Sequence, residues 1–482
     1  MNLNELATKL GAAGAGLMLS LAGCAAVGPV YQRPELAVPA AWNEAQPAGF
    51  DTRPTVLASW WTEFDDPLLD TLVERAVRSN LDLRLAEARI RESRALRAVT
   101  AADAWPRLDT SGSYTRSRSS ENAFSSGTGD SSSFGANGAR DLFRAGFDAS
   151  WEIDVFGGVR RSVEAADANV QASVEERRNA LVTLLGDVAK NYIDLRGFQR
   201  RLAVARSNLR AQQETLELTR VRFEAGLSSD FEVAQSEGQV NTTAAQIPAL
   251  ESALKQSAHR LDVLLGQQPG ALWAEVGNEA PIPALPPQAQ VGMPAELLRR
   301  RPDIRRAERL LAAATAQVGA ATADLYPRFS LSGAFGFQSI SAGDLLSGGS
   351  RFWSIGPTIL WPVFDAGRIR AGIAVRSAQQ EQALTLYERT VLTAFEDVEN
   401  SLVNYIKEQT RYRSLTDAVA ANRRAVQLAN ELYTRGLIDF LNVLESQRSL
   451  YASESELAQS ETAMASNLVA LYKALGGGWE TD

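Results

Sequence analysis

The residue types that carry covalent or metal chemistry are nearly absent from this chain. Its 482 residues include one cysteine, Cys24, and one histidine, His259. A zinc site, a Cys–His nucleophile or a disulfide framework needs more than that. No nucleophile stands with its base, no glycine-rich phosphate loop is present, and no metal-ligand spacing occurs, so neither an enzyme nor a cofactor is expected. His259 lies among polar residues of a helical stretch and reads as a surface side chain. What remains is one thiol and a set of polar groups near two glycines. Asp230 and Glu232 follow Gly226; Asp439, Asn442 and Glu445 follow Gly436, with Tyr433 just before it. Negative charge suits helix N-termini. Asp230, Glu232 and Asp439 therefore read first as local helix-end charges, Glu445 as a solvated helix charge and Tyr433 as packing. The net charge of −8 argues against a nucleic-acid partner.

The thiol has a sharper reading. Lys9 precedes a weakly apolar run from Leu10 to Leu21, followed by Ala22-Gly23-Cys24. The run is too short to span a bilayer and reads as a secretory signal, residues 1–23. Leu-Ala-Gly before the lone cysteine resembles a bacterial lipobox, which would make Cys24 the lipidated first residue of the mature chain; the alternative is an ordinary signal cleaved nearby. Stable anchoring needs more than one acyl chain. Residues 24–59 carry Pro29, Pro34, Pro39, Pro47 and Pro54, which forbid regular helix and predict an extended strap.

Such sparse chemistry has to be positioned by architecture. From Phe329 the chain alternates, with Phe329, Leu331, Gly333, Phe335 and Phe337 on one face and Ser330, Ser332, Ala334, Gly336 and Gln338 on the other. Period two is that of a strand, and the length is about the 9–11 residues a tilted strand needs to cross a bilayer. Strands are expected at about 107–117, 145–154, 328–338 and 355–364. In the second, Phe147, Ala149, Trp151 and Ile153 alternate with Asp148, Ser150, Glu152 and Asp154. Residues 118–144, rich in Ser, Gly, Asn and Asp, form a long polar loop of the kind found on the outer side of membrane barrels. The two halves are copies. Trp105-Pro106-Arg107 matches Tyr326-Pro327-Arg328, Val155-Phe156 matches Val363-Phe364, Gly226-Leu227 matches Gly436-Leu437, and Leu265-Gly266 matches Leu475-Gly476. A period of roughly 210 residues is far beyond the 20–50 of solenoid arrays.

Between strands and glycines lie proline-free stretches. Leu181, Leu184, Leu185, Val188, Tyr192 and Leu195 fall on a helical seam. The helix they belong to runs from Val159 to Ala225, and about 67 residues span about 100 Å. Gly226 is expected at C′, with Ser229 or Asp230 as the next N-cap and a helix returning from Phe231 to Leu265. Copy two repeats this from about Arg368, with a turn at Gly436. Asp66-Pro67 reads as the N-cap and first residue of a shorter helix. The expected organisation is repeat 1 over 60–268, a Pro-rich equatorial linker over 269–302, repeat 2 over 303–476 and a tail over 477–482.

An isolated four-stranded sheet has two open edges, which lipid does not tolerate, and known membrane barrels have at least eight strands. If these strands are transmembrane, several chains share one barrel; the alternative is that Phe329, Phe335, Trp151 and Trp361 form the core of a soluble sheet. Specific stretches then decide. They are Trp60-Trp61 before Asp66-Pro67-Leu68-Leu69, Arg299-Arg300-Arg301-Pro302-Asp303-Ile304-Arg305-Arg306-Ala307-Glu308, Leu325-Tyr326-Pro327-Arg328-Phe329 and Trp361-Pro362-Val363-Phe364-Asp365-Ala366-Gly367-Arg368. With Cys24 in its lipobox, the chain resembles the outer-membrane efflux proteins, the TolC-like, NodT-type outer-membrane factors of tripartite RND pumps, over essentially the whole mature sequence. The resemblance implies a mainly α fold with transmembrane β: a homotrimer with a twelve-stranded outer-membrane β-barrel and a periplasmic α-barrel of long helical hairpins. It implies a passive conduit exporting drugs and toxic small molecules, lipid-anchored in the outer membrane of a Gram-negative bacterium. Its implied partners are a periplasmic adaptor (membrane fusion) protein, an inner-membrane RND pump and outer-membrane lipid. A type I secretion conduit for polypeptides and a non-pore periplasmic coiled-coil scaffold are the other readings.

The resemblance also implies a gate at the hairpin tips. The family's two inward-facing acidic positions fall on Asn442 and Glu445, so only the second keeps its charge. The family's aromatic–acid tether falls on Tyr433 and Glu232. Its basic tether position is Ile438, with Asp439 and Asp230 close by as substitutes. Three Glu445 side chains near an axis would repel one another or hold a cation, and would deter anions.

Overall fold

The computed structural model describes residues 26–43, 50–51, 57–118, 139–286 and 288–479. The expected signal peptide, Cys24, parts of the strap and most of the loop at 118–144 lie outside the described residues. The chain forms two compact units, each taking segments from both repeats. One comprises the N-terminal segment to Arg33 with Arg91–Gln171 and Arg309–Thr385; the other comprises Pro34–Ile90, Ala172–Glu308 and Leu386–Asp482.

The first unit holds a sheet of four strands: β1 Arg107–Ser117, β2 Arg140–Ile153, β3 Arg328–Ser339 and β4 Arg351–Leu360, all antiparallel and in chain order. β2 starts at Arg140 rather than about 145, because Arg140 to Arg144 complete the ladder opposite Ser117 to Ser113 although they break the alternation. The registers place Phe147 opposite Phe335 and Phe335 opposite Trp353, Trp151 opposite Leu331, and Ile153 opposite Phe329 opposite Ile359. One face is therefore apolar across the sheet, and it is bare: Phe335 is 52%, Trp353 76% and Ile355 69% exposed. The opposite face carries Ser111, Asp148, Ser150, Ser330, Ser332 and Thr358. Among the described residues, β1 and β4 each lack a partner on their outer side.

The same registers correct the repeat alignment. Thr110 faces Phe147, while its repeat mate Leu331 faces Pro357. Trp151 thus corresponds to Trp361, and their indole N–H groups donate to the carbonyls of Ala104 and Leu325, both at 3.0 Å. Gly157 corresponds to Gly367, with φ +81° and +87°. Val155-Phe156 and Val363-Phe364 stand two residues out of step: Phe156 stacks on Tyr326 at 4.6 Å, whereas Phe364 is exposed. After β4, the amides of Ile369 and Gly367 hold the Asp365 carboxyl below the usual carboxylate range. The strap crosses this unit in contact. The amide of Val27 donates to the carbonyl of Phe156 at 3.1 Å, and Tyr31 packs on Ala168, Ala312 and Ala313. A Cβ on Gly28 would stand 2.4 Å from the Gly319 Cα, so only glycine fits there.

The helices are α1 Pro67–Ser79, α2 Leu81–Ala102, α3 Gly158–Glu224, α4 Asp230–Leu264, α5 Pro294–Arg300, α6 Pro302–Ala323, α7 Arg368–Thr434 and α8 Phe440–Ala474. The Pro-rich stretch 269–302 contributes α5 and a four-residue turn, Trp273–Val276. Asp66 caps α1, accepting from the amides of Leu68 and Leu69 at 2.9 and 3.2 Å, with Pro67 at the first helical position. The core of the second unit is the fully buried set Leu69, Leu72, Leu185, Tyr192, Leu195, Leu261 and Tyr472. The Tyr192 hydroxyl donates to the other Asp66 oxygen at 2.7 Å, tying α3 to the cap.

The arginine-rich stretch before α6 has a structural task. Arg301 forks onto Asp303 at 3.0 and 2.6 Å, reaches Asp397 of α7 at 3.0 Å, and donates to the Ala474 carbonyl at 3.0 Å. It closes the C-terminal end of α8, where the helix dipole favours a cation. Arg305 and Arg178 lie over the Trp479 ring at 4.9 and 4.6 Å and both pair with buried Glu175 at 2.8 Å. The Trp479 indole donates to the Arg300 carbonyl at 2.9 Å.

Candidate functional site

α3–α4 and α7–α8 are two hairpins with matching turns. α3 and α7 end with Gly226 and Gly436, both at φ +73°. Leu227 bonds back to the Arg222 carbonyl at 2.8 Å and Leu437 to that of Leu432 at 2.9 Å, while the glycine amides bond to Phe223 and Tyr433 at 2.9 Å. These are Schellman ends, and the left-handed position needs glycine. Ser229, not Asp230, caps α4, accepting weakly from the Glu232 amide at 3.4 Å. Asp230 is the first helical residue. Asp439 occupies the N-cap position of α8 without a side-chain cap bond.

The turns bring Tyr433 and Glu232 together. The Tyr433 hydroxyl donates to Glu232 Oε2 at 3.2 Å, and Ser228 Oγ donates to the same oxygen at 2.5 Å. Tyr433 is 4% exposed and packs with Ala429, Phe440, Val443 and Leu444, with Ile438 against the cluster. Ile438 therefore supplies packing beside the Tyr433–Glu232 contact. Burial pushes the Tyr433 hydroxyl above its ordinary pKa, and the negative charge of Glu232 adds to the shift. The phenol is a lasting proton donor, and the contact is a hook between the end of α7 and the start of α4.

Asn442 and Glu445 are not part of that hook. They lie one turn apart on α8, both exposed, as are Asp439 and Asp230. Asn442 Nδ2 lies 3.4 Å from the Asp439 carbonyl. Leu227, Phe231, Leu437 and Leu441 are exposed around them. His259 is exposed on α4, and no group of ligating residues among the described residues could hold a metal ion.

Sequence reasoning missed Arg222 and Ser228. The Arg222 guanidinium lies over the Tyr433 ring at 4.6 Å and its Nη1 donates to the Tyr433 carbonyl at 3.4 Å. A stacking partner 211 residues away leaves no spacing signal. Polar rungs continue along the hairpins: Gln447 to Thr215 at 2.8 Å, Arg448 to Gln239 at 2.7 Å and Asn208 to Glu454 at 3.2 Å. Asn208, Gln239 and Gln447 are buried, and leaving a buried polar group unpaired is costly, so these rungs fix the register of the hairpins.

This arrangement can be set beside known proteins. The family model described as outer membrane efflux protein matches residues 72–267 and 293–477. Nodulation protein T of Rhizobium leguminosarum bv. trifolii is 34% identical over 466 residues, covering 96% of each chain. The pyoverdine export outer membrane protein OpmQ of Pseudomonas aeruginosa is 34% identical over 450 residues, covering 93% of this chain and 92% of that one. The solved outer-membrane channel OprN aligns with a TM-score of 0.87 and 38% identity over 94% of this chain and 99% of that one. With a duplicated strand-and-hairpin plan, a bare apolar sheet face and matches over nearly its full length, this chain belongs to the outer membrane efflux protein family.

Proposed function

We propose that the protein is the outer-membrane channel of a tripartite efflux system, a passive conduit for small molecules. Three copies close one twelve-stranded barrel, their helical hairpins form the periplasmic tunnel, and Cys24 carries the lipid anchor. A periplasmic adaptor and an inner-membrane RND pump deliver the cargo and the energy. The tips around Gly226 and Gly436 form the gate. Tyr433 hooked to Glu232 holds it shut, and Glu445, one turn from Asn442, brings negative charge to the axis.

The observation that carries this reading is the sheet. Among the described residues its two edges are unpaired and its aromatic face is bare in a single chain, a combination stable only when sister chains complete the barrel and lipid covers the face. The export function named for the pyoverdine relative favours small-molecule cargo over polypeptide.

The test is electrical. Purified protein in a planar bilayer should show a small conductance that rises when Glu232→Ala and Tyr433→Phe release the hook, and Glu445→Gln should lower its preference for cations. A detergent-free monomer that passes no current in either form would overturn the reading. Normal current with unchanged conductance and selectivity in all three variants would remove only the gate assignment.

A further inference from the structure

The further inference rests on the reading above, in which the polar face of the sheet lines the bore. We propose that Arg144, Phe352 and the glycine pair Gly146–Gly336 form a bore-setting stack, in which the arginine pins an aromatic ring flat against the barrel wall and keeps the export path clear.

Phe352 is out of place by alternation. Tyr114, Phe143, Phe147, Trp151, Phe329, Phe335, Phe337 and Trp353 all fall on the apolar face by register, and Phe352 is the only aromatic on the polar face among the described strand residues. Its cross-strand partner is Gly336, which faces Gly146 in turn. Neither glycine has a side chain to cover that patch of wall. A Cβ built on Gly336 would stand 3.0 Å from Phe352 Cε1, so the ring lies across bare backbone. Laying an aromatic over a strand glycine buries one face of the ring and shields the ladder.

Arg144 lies over the same ring. Its guanidinium carbon sits 4.8 Å from the ring centroid. Its Nη2 is held by Asp148 Oδ1 at 3.3 Å, and Asp148 is fixed by Ser111 Oγ at 2.8 Å. The ring thus touches both glycine backbone and a planar cation anchored across two strands. Cation–π attraction at such a site shifts a rotamer balance about two- to fivefold. Without it the ring is free to swing off the wall into the lumen, at the same level in each of three subunits.

The test exploits an unusual sign. Truncating a bore-lining arginine should simply widen a channel, but here Arg144→Ala is expected to lower single-channel conductance. Arg144→Lys keeps the charge and loses the planar stack; it is expected to lower conductance as well, with ion selectivity unchanged. Phe352→Ala raises conductance, and adding Arg144→Ala to it brings no further fall. All are measured with the tips released by Glu232→Ala and Tyr433→Phe, so that the gate does not limit the current. If that parent passes no current, the channel reading fails rather than the stack. Arg144→Ala and Arg144→Lys channels that conduct as well as their parent, or a fall of equal size with and without Phe352, would overturn the proposal.

Discussion

Phenol–carboxylate pairs recur in the second unit. Tyr433 with Glu232 and Tyr192 with Asp66 both put a buried hydroxyl against an acid. The first was legible as a family position; the second was not, because nothing in the spacing of Asp66 and Tyr192 relates a cap to a seam residue. Burial first, and then the hydrogen bond to Asp66, pushes the Tyr192 hydroxyl up to about 12. The folded value lies above the ordinary tyrosine value of about 10. Its stabilisation is therefore fully present below about pH 10 and lost as pH rises toward about 12. In an alkaline titration followed by circular dichroism and tyrosinate absorbance, unfolding should begin in that window. Tyr192→Phe should be less stable by about 1 kcal/mol at neutral pH and should show a weaker loss across the same window.

Among the elements, the long helices were read nearly to the residue, but α5 was expected to be linker, β2 begins ahead of the expected 145, and β4 at Arg351–Leu360 lies ahead of the expected 355–364, because the ladder with β3 ends at Leu360 before Pro362. Proline-free length and a seam at spacings of three and four specify α3 and α7; glycine specifies where they end. Where the sequence misled, a local pattern competed with the ladder. Arg140 to Arg144 look like loop, yet pair with β1, and the Val-Phe match hides a register in which Trp151 and Trp361 correspond. Phe352 was invisible, since its place depends on two glycines in other strands. The turns invite a direct test. Gly436 has open space around it, so Gly436→Ala meets no clash and suffers only its φ of +73°. The left-handed position costs alanine about 1 kcal/mol, which should speed hydrogen exchange at the tip amides about fivefold and leave amides in the second unit's core unchanged.

For the whole molecule, subunit number was beyond the sequence, because four strands ask for company without counting it. The two faces of the sheet make the membrane reading testable. Ile355→Lys, on the bare apolar face, should cost about 2–4 kcal/mol near the bilayer midplane and abolish a heat-resistant oligomer on gels. Ser332→Lys, on the polar face, should leave that oligomer intact; equal loss in both would argue that the sheet is not in lipid. The seat of Trp479 has a consequence of another kind. Arg178, Arg305 and Glu175 are synthesised long before the tryptophan that completes their packing. Trp479→Ala would strip the ring from both guanidinium groups while Glu175 still pairs with each of them. One ring thereby joins side chains of α3 and α6 to the segment that follows α8, so loss of the indole should be felt in three stretches that lie far apart along the chain.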